Sequence, residues 1–298
     1  MEIVHIKSLD GTAFFEVIPA LGGMLTQLNW AGNVITLPFE NQYANSENPY
    51  HPSALLSPWV NRVRNGNYSF EGRNYQLPIN EPNLCNAIHG LLARKPFEVS
   101  LEASKATLTY HYDAAEKAYP FPFEMQLAYS FSADNSFQLE FQAKNTGSGN
   151  MPFACGWHPY FNLTQGSLAD WCIRFDSLSK FNSDSQMIPL REESFDASAG
   201  VDLGKEVLDN VFRLKSTEKH ITQLYNKSKN ESLYIEQSSV DFQFLVVFAP
   251  ENSTCVAIEP MSANTDAFNT GDGLRILAPD EIFRSTVKIW YTKADKAV

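Results

Sequence analysis

Cysteine is sparse in this chain of 298 residues, and none of Cys85, Cys155, Cys172 and Cys255 stands in a Cys-x-x-Cys pair. That spacing excludes a disulfide-stapled secreted scaffold and leaves buried thiols of a reducing compartment. Positive charge is short as well: 23 Lys and Arg face 34 Asp and Glu, a net charge of −11. Arg62, Arg64 and Arg73 are separated by polar turn residues, so no basic patch forms and nucleic acid is excluded as a partner. No apolar run approaches membrane-spanning length, and the segment from Met1 to Lys7 lacks the basic and apolar regions of a secretory signal. The expectation is a cytoplasmic protein with no membrane partner.

Several chemistries are missing too. The six histidines (His5, His51, His89, His111, His158, His220) contain no His-x-His or His-Glu-x-x-His pair, so a metal would need a site assembled wholly by the fold. Gly271-Asp272-Gly273 is a lone Gly-x-Gly without a strand–helix setting, and no Gly-x-Ser-x-Gly elbow occurs. The expectation is therefore no metal and no cofactor.

What is present is alternation. From Ser136 to Lys144, Phe137, Leu139, Phe141 and Ala143 fall on one face of a strand. Ala106–Tyr112 and Met125–Phe131 repeat the pattern at hairpin distance. Phe14–Ile18, Ser232–Gln237, Phe242–Phe248, Cys255–Glu259 and Arg284–Thr292 read as further strands. Turn residues punctuate them at Gly22-Gly23, Asn65-Gly66, Glu71-Gly72 and Asn145-Thr146-Gly147. No sustained helical stripe, linker or repeat appears. The fold class predicted is all-β, a large antiparallel sandwich forming a single domain over residues 1–298. The stretch from Phe181 to Gly204 carries the weakest signal and reads as an excursion over a site. Exposed sheet edges permit a monomer or a homodimer.

Four polar clusters interrupt the apolar pattern: Asn61-Arg62 before a turn, His89-Gly90, His158 within Cys155-Gly156-Trp157-His158-Pro159-Tyr160-Phe161-Asn162-Leu163, and Glu259-Pro260 after Ala257-Ile258. Each has a plainer reading. Arg62 alone would be a surface charge, the histidines satisfied polar groups near a core, and Asp209 a turn or helix cap. Glu259 is harder to dismiss, since a carboxylate at the end of a buried strand costs much unless it is paired or used. Histidine and glutamate together suit proton movement between heteroatoms without a covalent intermediate.

The order of these clusters, with Tyr119-Pro120-Phe121-Pro122-Phe123 and Asp266-Ala267-Phe268-Asn269 between and after them, resembles the aldose 1-epimerases, or galactose mutarotases, over nearly the whole chain. The resemblance implies a β-supersandwich and a small-molecule sugar substrate. It implies Glu259 as the base at the C1 hydroxyl and His158 as the acid at the ring oxygen. His89 and Arg62 would support the ring oxygen and neighbouring hydroxyls with Asn61 beside them, and Asp209 would bind hydroxyls away from C1.

The chain departs from the commoner pattern at Gly156-Trp157, at Leu91-Leu92-Ala93-Arg94 and at Val246-Val247-Phe248-Ala249, so it is closer to a less characterised bacterial branch with Gly-Trp-His-Pro-Tyr. An added indole at Trp157 is expected to alter which hydroxyls are read. His89 to Arg94 is also similar to a segment of the hexose-6-phosphate epimerase branch, whose phosphate Arg62, Arg64, Arg94 and Lys95 could gather. A non-catalytic carbohydrate-binding protein is the third reading.

Overall fold

A computed structural model describes residues 1–36, 51–162, 168–249 and 254–293. The alternating segments form strands as expected. Phe137–Asn145 buries Phe137, Leu139, Phe141 and Ala143 on one face. It pairs antiparallel with Phe123–Phe131 on one side, Leu127 opposite Phe141, and with Ile282–Lys293 on the other.

Among the described residues these strands lie within a nine-stranded antiparallel sheet. Its order is Glu98–Glu102, Lys105–Tyr112, Phe123–Phe131, Phe137–Asn145, Ile282–Lys293, Glu231–Ser238, Lys219–Asn226, Trp171–Phe175 and Ala197–Asp202. An eight-stranded sheet faces it, ordered Pro189–Ser194, Ser177–Ser183, Leu208–Leu214, Phe244–Ala249, Cys255–Met261, Gly156–His158 and Ala54–Leu56, with Tyr160–Asn162 also paired to Cys255–Met261. Four shorter strands from Val4 to Val34 form a separate small sheet.

The interior between the large sheets is aromatic. Trp157 stacks on Phe137 with ring centroids 6.4 Å apart, and Phe242 meets Phe141 edge-on at 5.4 Å. Burying each such side chain stabilises the fold by roughly 1.5–3 kcal/mol. Among the described residues helix is confined to short turns such as Ala267–Thr270, and none is long and apolar enough to cross a membrane.

The reading of Phe181–Gly204 is corrected. It contains the end of Ser177–Ser183, then Pro189–Ser194 and the whole of Ala197–Asp202, all paired in ladders. Pro189–Ser194 and Ala197–Asp202 are edge strands of the two sheets. An edge strand with solvent on both faces has no reason to alternate, and Pro189–Ser194 is exposed or half-exposed throughout. Only the turn between Ser183 and Pro189 approaches the cleft described next.

Candidate active site

The strands of the eight-stranded sheet present alternate residues to opposite sides. On Cys255–Met261, Val256 and Ile258 enter the inter-sheet core, while Glu259 faces outward into a concave cleft. Val246 lies directly opposite Glu259 on the neighbouring strand, and Asp209 lies opposite Phe248 one strand further on. Val246, Phe248 and Asp209 all line the cleft with Glu259. The same rule places Gly156 and His158 on one side of their strand and Trp157 on the other.

The opposite wall consists of two short strands, Arg62–Arg64 and Asn86–Ile88, paired antiparallel, and of the tightly held turns at their ends. Asn61 (φ 47°) and His89 (φ 63°) both adopt the left-handed conformation, which Asn and His enter more readily than most residues. Their backbones are joined by a hydrogen bond from His89 N–H to the Asn61 carbonyl, 2.9 Å. Gly90 follows at φ 73°, where any Cβ would lie 2.1 Å from the Ser57 carbonyl oxygen, so only glycine fits. From the far end of the sequence, Asp266 N–H donates to the Arg62 carbonyl (2.7 Å) and Arg64 N–H donates to Asp266 Oδ1 (2.9 Å).

The cleft so formed has a volume of about 740 Å³, within the range of roughly 300–1,000 Å³ common for small-molecule sites. At its floor His158 Nε2 lies 3.3 Å from Glu259 Oε1, both side chains being almost wholly buried. Burial pushes the Glu259 carboxyl up to about 8, with Arg62 opposing the rise and Asp209 adding to it. Burial likewise pulls the His158 imidazole down to about 3, helped by His51 and Arg62. These shifts favour the uncharged arrangement near neutral pH, with the pair's one proton on Glu259. Glu259 Oε2 and His89 Nδ1 are buried without a hydrogen-bond partner. His89 is held well below its usual range by burial and then by His51, His158 and Arg62. Burial raises the Asp209 carboxyl while Arg62 lowers it.

Arg62 is anchored. Glu81 accepts from its Nε (2.9 Å) and Nη2 (2.8 Å), and Asn61 Oδ1 accepts from Nη1 (3.1 Å). This two-pronged carboxylate contact fixes the guanidinium plane. The Asp184–Ile188 turn braces the same wall: Gln186 Nε2 donates to the Leu84 carbonyl and Asn86 Nδ2 donates to the Gln186 carbonyl.

All six residues singled out from the sequence, Asn61, Arg62, His89, His158, Asp209 and Glu259, line this one cleft. Leu163, the last residue of the His158 motif, lies outside the described residues. The indole of Trp157 does not reach the cleft; it sits in the inter-sheet core against Phe137, which corrects the expectation that it reads hydroxyls. Tyr160 takes the place beside the His158–Glu259 pair, stacked on His158 at 5.0 Å. Sequence reasoning missed His51 and Glu81. Glu81 stands 19 residues from the arginine it holds, in a loop without periodicity, and His51 carries no motif. Among the described residues no group of three His, Cys, Asp or Glu side chains is arranged to hold a metal ion.

The family pattern for aldose 1-epimerase matches residues 8–290. An uncharacterized Escherichia coli protein, YihR, is 28% identical over 279 residues, covering 91% of this chain and 88% of its own length. A galactose mutarotase-like protein from Clostridium acetobutylicum superposes with a TM-score of 0.83 at 21% identity, 99% of each chain being covered. A galactose 1-epimerase from Lactobacillus acidophilus superposes at 0.81 and 17% identity, covering 99% of this chain and all of that one.

Proposed function

The chain belongs to the aldose 1-epimerase family, and from that premise we propose that it interconverts the α and β anomers of a free aldohexose by acid–base ring opening and closure. The observation that carries this reading is the contact of His158 Nε2 with Glu259 Oε1 at 3.3 Å, at the floor of a cleft lined by hydroxyl-binding groups.

Ring opening requires the C1 hydroxyl to lose its proton as the C1–O5 bond breaks, while O5 gains one. The electron pair of the O–H bond becomes the second C=O bond of the aldehyde, and the C1–O5 pair becomes the new O5–H bond. No net proton, oxidant or cofactor is consumed. In our assignment Glu259 takes the C1 proton and His158 delivers one to O5. Burial favours the pair's proton on the glutamate, so this arrangement needs a transfer across the 3.3 Å gap. Sugar hydroxyls donating to the carboxylate, together with the charge of Arg62, favour the ionised Glu259 that results. Rotation about C1–C2 and closure with the roles exchanged gives the other anomer.

Binding follows from the walls. Phe248, Val246 and Tyr160 offer apolar surface to the C–H face of a pyranose. Arg62, His89, Asn61 and Asp209 offer donors and acceptors to its hydroxyls. We place the reaction in the cytoplasm, on a small-molecule sugar, by a monomer or homodimer without metal or cofactor.

The geometry gives little support to a phosphorylated substrate. Arg64 is engaged by Asp184 (2.5 Å) and Gln186, Lys95 pairs with Glu116 (3.6 Å), and Arg62 is held by Glu81. A phosphate site gathers cations, and three of the four candidates, Arg62, Arg64 and Lys95, are tied elsewhere or already neutralised. A pure binding protein would have no use for two desolvated titratable groups in contact.

The test is the decay of optical rotation of freshly dissolved α-D-glucose and α-D-galactose, and of their 6-phosphates, with and without the protein. Acceleration of a free sugar is expected. Acceleration confined to a phosphate would move the assignment to that branch, and no acceleration of any would sink it.

A further inference from the structure

The cleft holds one imidazole more than the acid–base pair and His89 account for. His51 lines the cleft, with its ring edge-on to His89 at a centroid separation of 4.8 Å, and His89 in turn stands edge-on to His158 at 5.2 Å. Among the described residues neither ring nitrogen of His51 has a hydrogen-bond partner, and it is the only one of the three histidines half-open to the cleft mouth.

Its position is built. His51 (φ 45°) and Ser53 (φ 53°) are both left-handed, in a turn closed by Ala54 N–H donating to the His51 carbonyl at 3.1 Å. Ser53 N–H donates to the carbonyl of His158 itself at 2.8 Å, and Ala54 then pairs with His158 across the sheet. The turn that aims His51 is thus fastened to the backbone of the proposed acid. Two non-glycine residues in that conformation cost energy, and strain of this kind collects where a side chain must be aimed.

Burial brings the His51 imidazole down to about 4, with Arg94 and then Arg62 helping and Glu81 opposing. It is neutral at physiological pH and offers one N–H donor and one lone-pair acceptor, the complement of a single hydroxyl.

We propose that His51 is a specificity residue that reads one hydroxyl of the sugar through a direct hydrogen bond. This inference rests on the sugar-binding reading of the cleft. A sugar lacking that hydroxyl would leave a desolvated imidazole nitrogen unpaired, so the penalty falls on one ring position and not on the others.

The test compares wild type with His51→Asn and His51→Phe. Asparagine tolerates the left-handed backbone, and phenylalanine keeps a ring against His89 while removing both nitrogens. Mutarotation of glucose is measured beside that of its 2-, 3-, 4- and 6-deoxy forms, with thermal melting as a check on folding. For one deoxy sugar, wild type is expected to lose about tenfold or more in kcat/KM, and both variants to shrink that penalty to about twofold. The remaining penalties stay as in wild type, and the variants act mainly through KM. Penalties unchanged in the variants would overturn the proposal. So would a uniform fall in kcat on every sugar, which would make His51 a positioning residue for His89. The same ratios are read by calorimetric titration of each sugar, so a wild type that binds without turnover would count against the mutarotase reading while His51 is still judged on binding.

Discussion

The two faces of the eight-stranded sheet are made by the same strands and have opposite characters. Toward the nine-stranded sheet, Trp157, Phe161, Val247 and Ile258 are buried in the aromatic interior. Toward the cleft, one residue along in each case, stand His158, Tyr160, Val246 or Phe248, and Glu259. The first face is held by apolar contact. The second leaves Glu259 Oε2 and His158 Nδ1 buried without partners beside the cleft, whereas the first buries one such atom, Trp157 Nε1. Side chains on a strand alternate with period two, so a slip of one residue would exchange the faces and put the carboxylate in the core. Stability and chemistry are thus interleaved along single strands, and substitutions one position apart are expected to fail in different ways.

The largest effect is expected on the cleft face. Glu259→Gln keeps the shape and removes the base, so mutarotation should fall by about 10²–10⁴-fold. Sugar binding by calorimetry should be largely kept, and a variant that turns over normally would break the comparison. On the core face, Trp157→Ala should lower unfolding free energy by about 3–5 kcal/mol, measured by denaturant titration. Folded Trp157→Phe should keep the wild-type ranking of sugars, and a changed ranking would return the indole to the cleft. The smallest effect is in pH. Glu259 is raised to about 8 and His158 lowered to about 3, so the pair holds a single proton between those values and none above them. The rate should therefore form a broad plateau that falls tenfold per unit above about pH 8 and declines again near pH 3. A narrow maximum at about pH 5.5, between the ordinary carboxylate and imidazole values, would mean that the pair titrates as solvent-exposed groups do.

Much of this division was legible in the sequence. Alternation in Phe137–Asn145 reports a strand half buried against a large core, and the apolar run of Cys255–Met261 one buried on both faces; these signals placed the strands within a residue or two. The same periodicity separates Trp157 from His158, a signal the departure from the family pattern obscured. The six motif residues meet in the cleft because each stands beside a glycine, a proline or a polar break in an apolar run. Glu81, His51 and the Pro189–Ser194 strand were not legible, for different reasons. Glu81 acts through Arg62 across a loop with no period, His51 is aimed by a turn whose backbone conformation leaves no mark on composition, and an edge strand in solvent has nothing to alternate against.

The bonds between Asp266 and the Arg62–Arg64 strand join residues more than 200 positions apart. During synthesis the wall carrying Asn61, Arg62 and His89 leaves the ribosome long before its anchor exists, and before the strand bearing Glu259 can pair. Non-local closure of this kind is slow, and it comes last. A nascent chain therefore has no half-built cleft in which a proton donor waits without its acceptor, and a fragment ending before Asp266 is expected to have neither the wall nor the reaction.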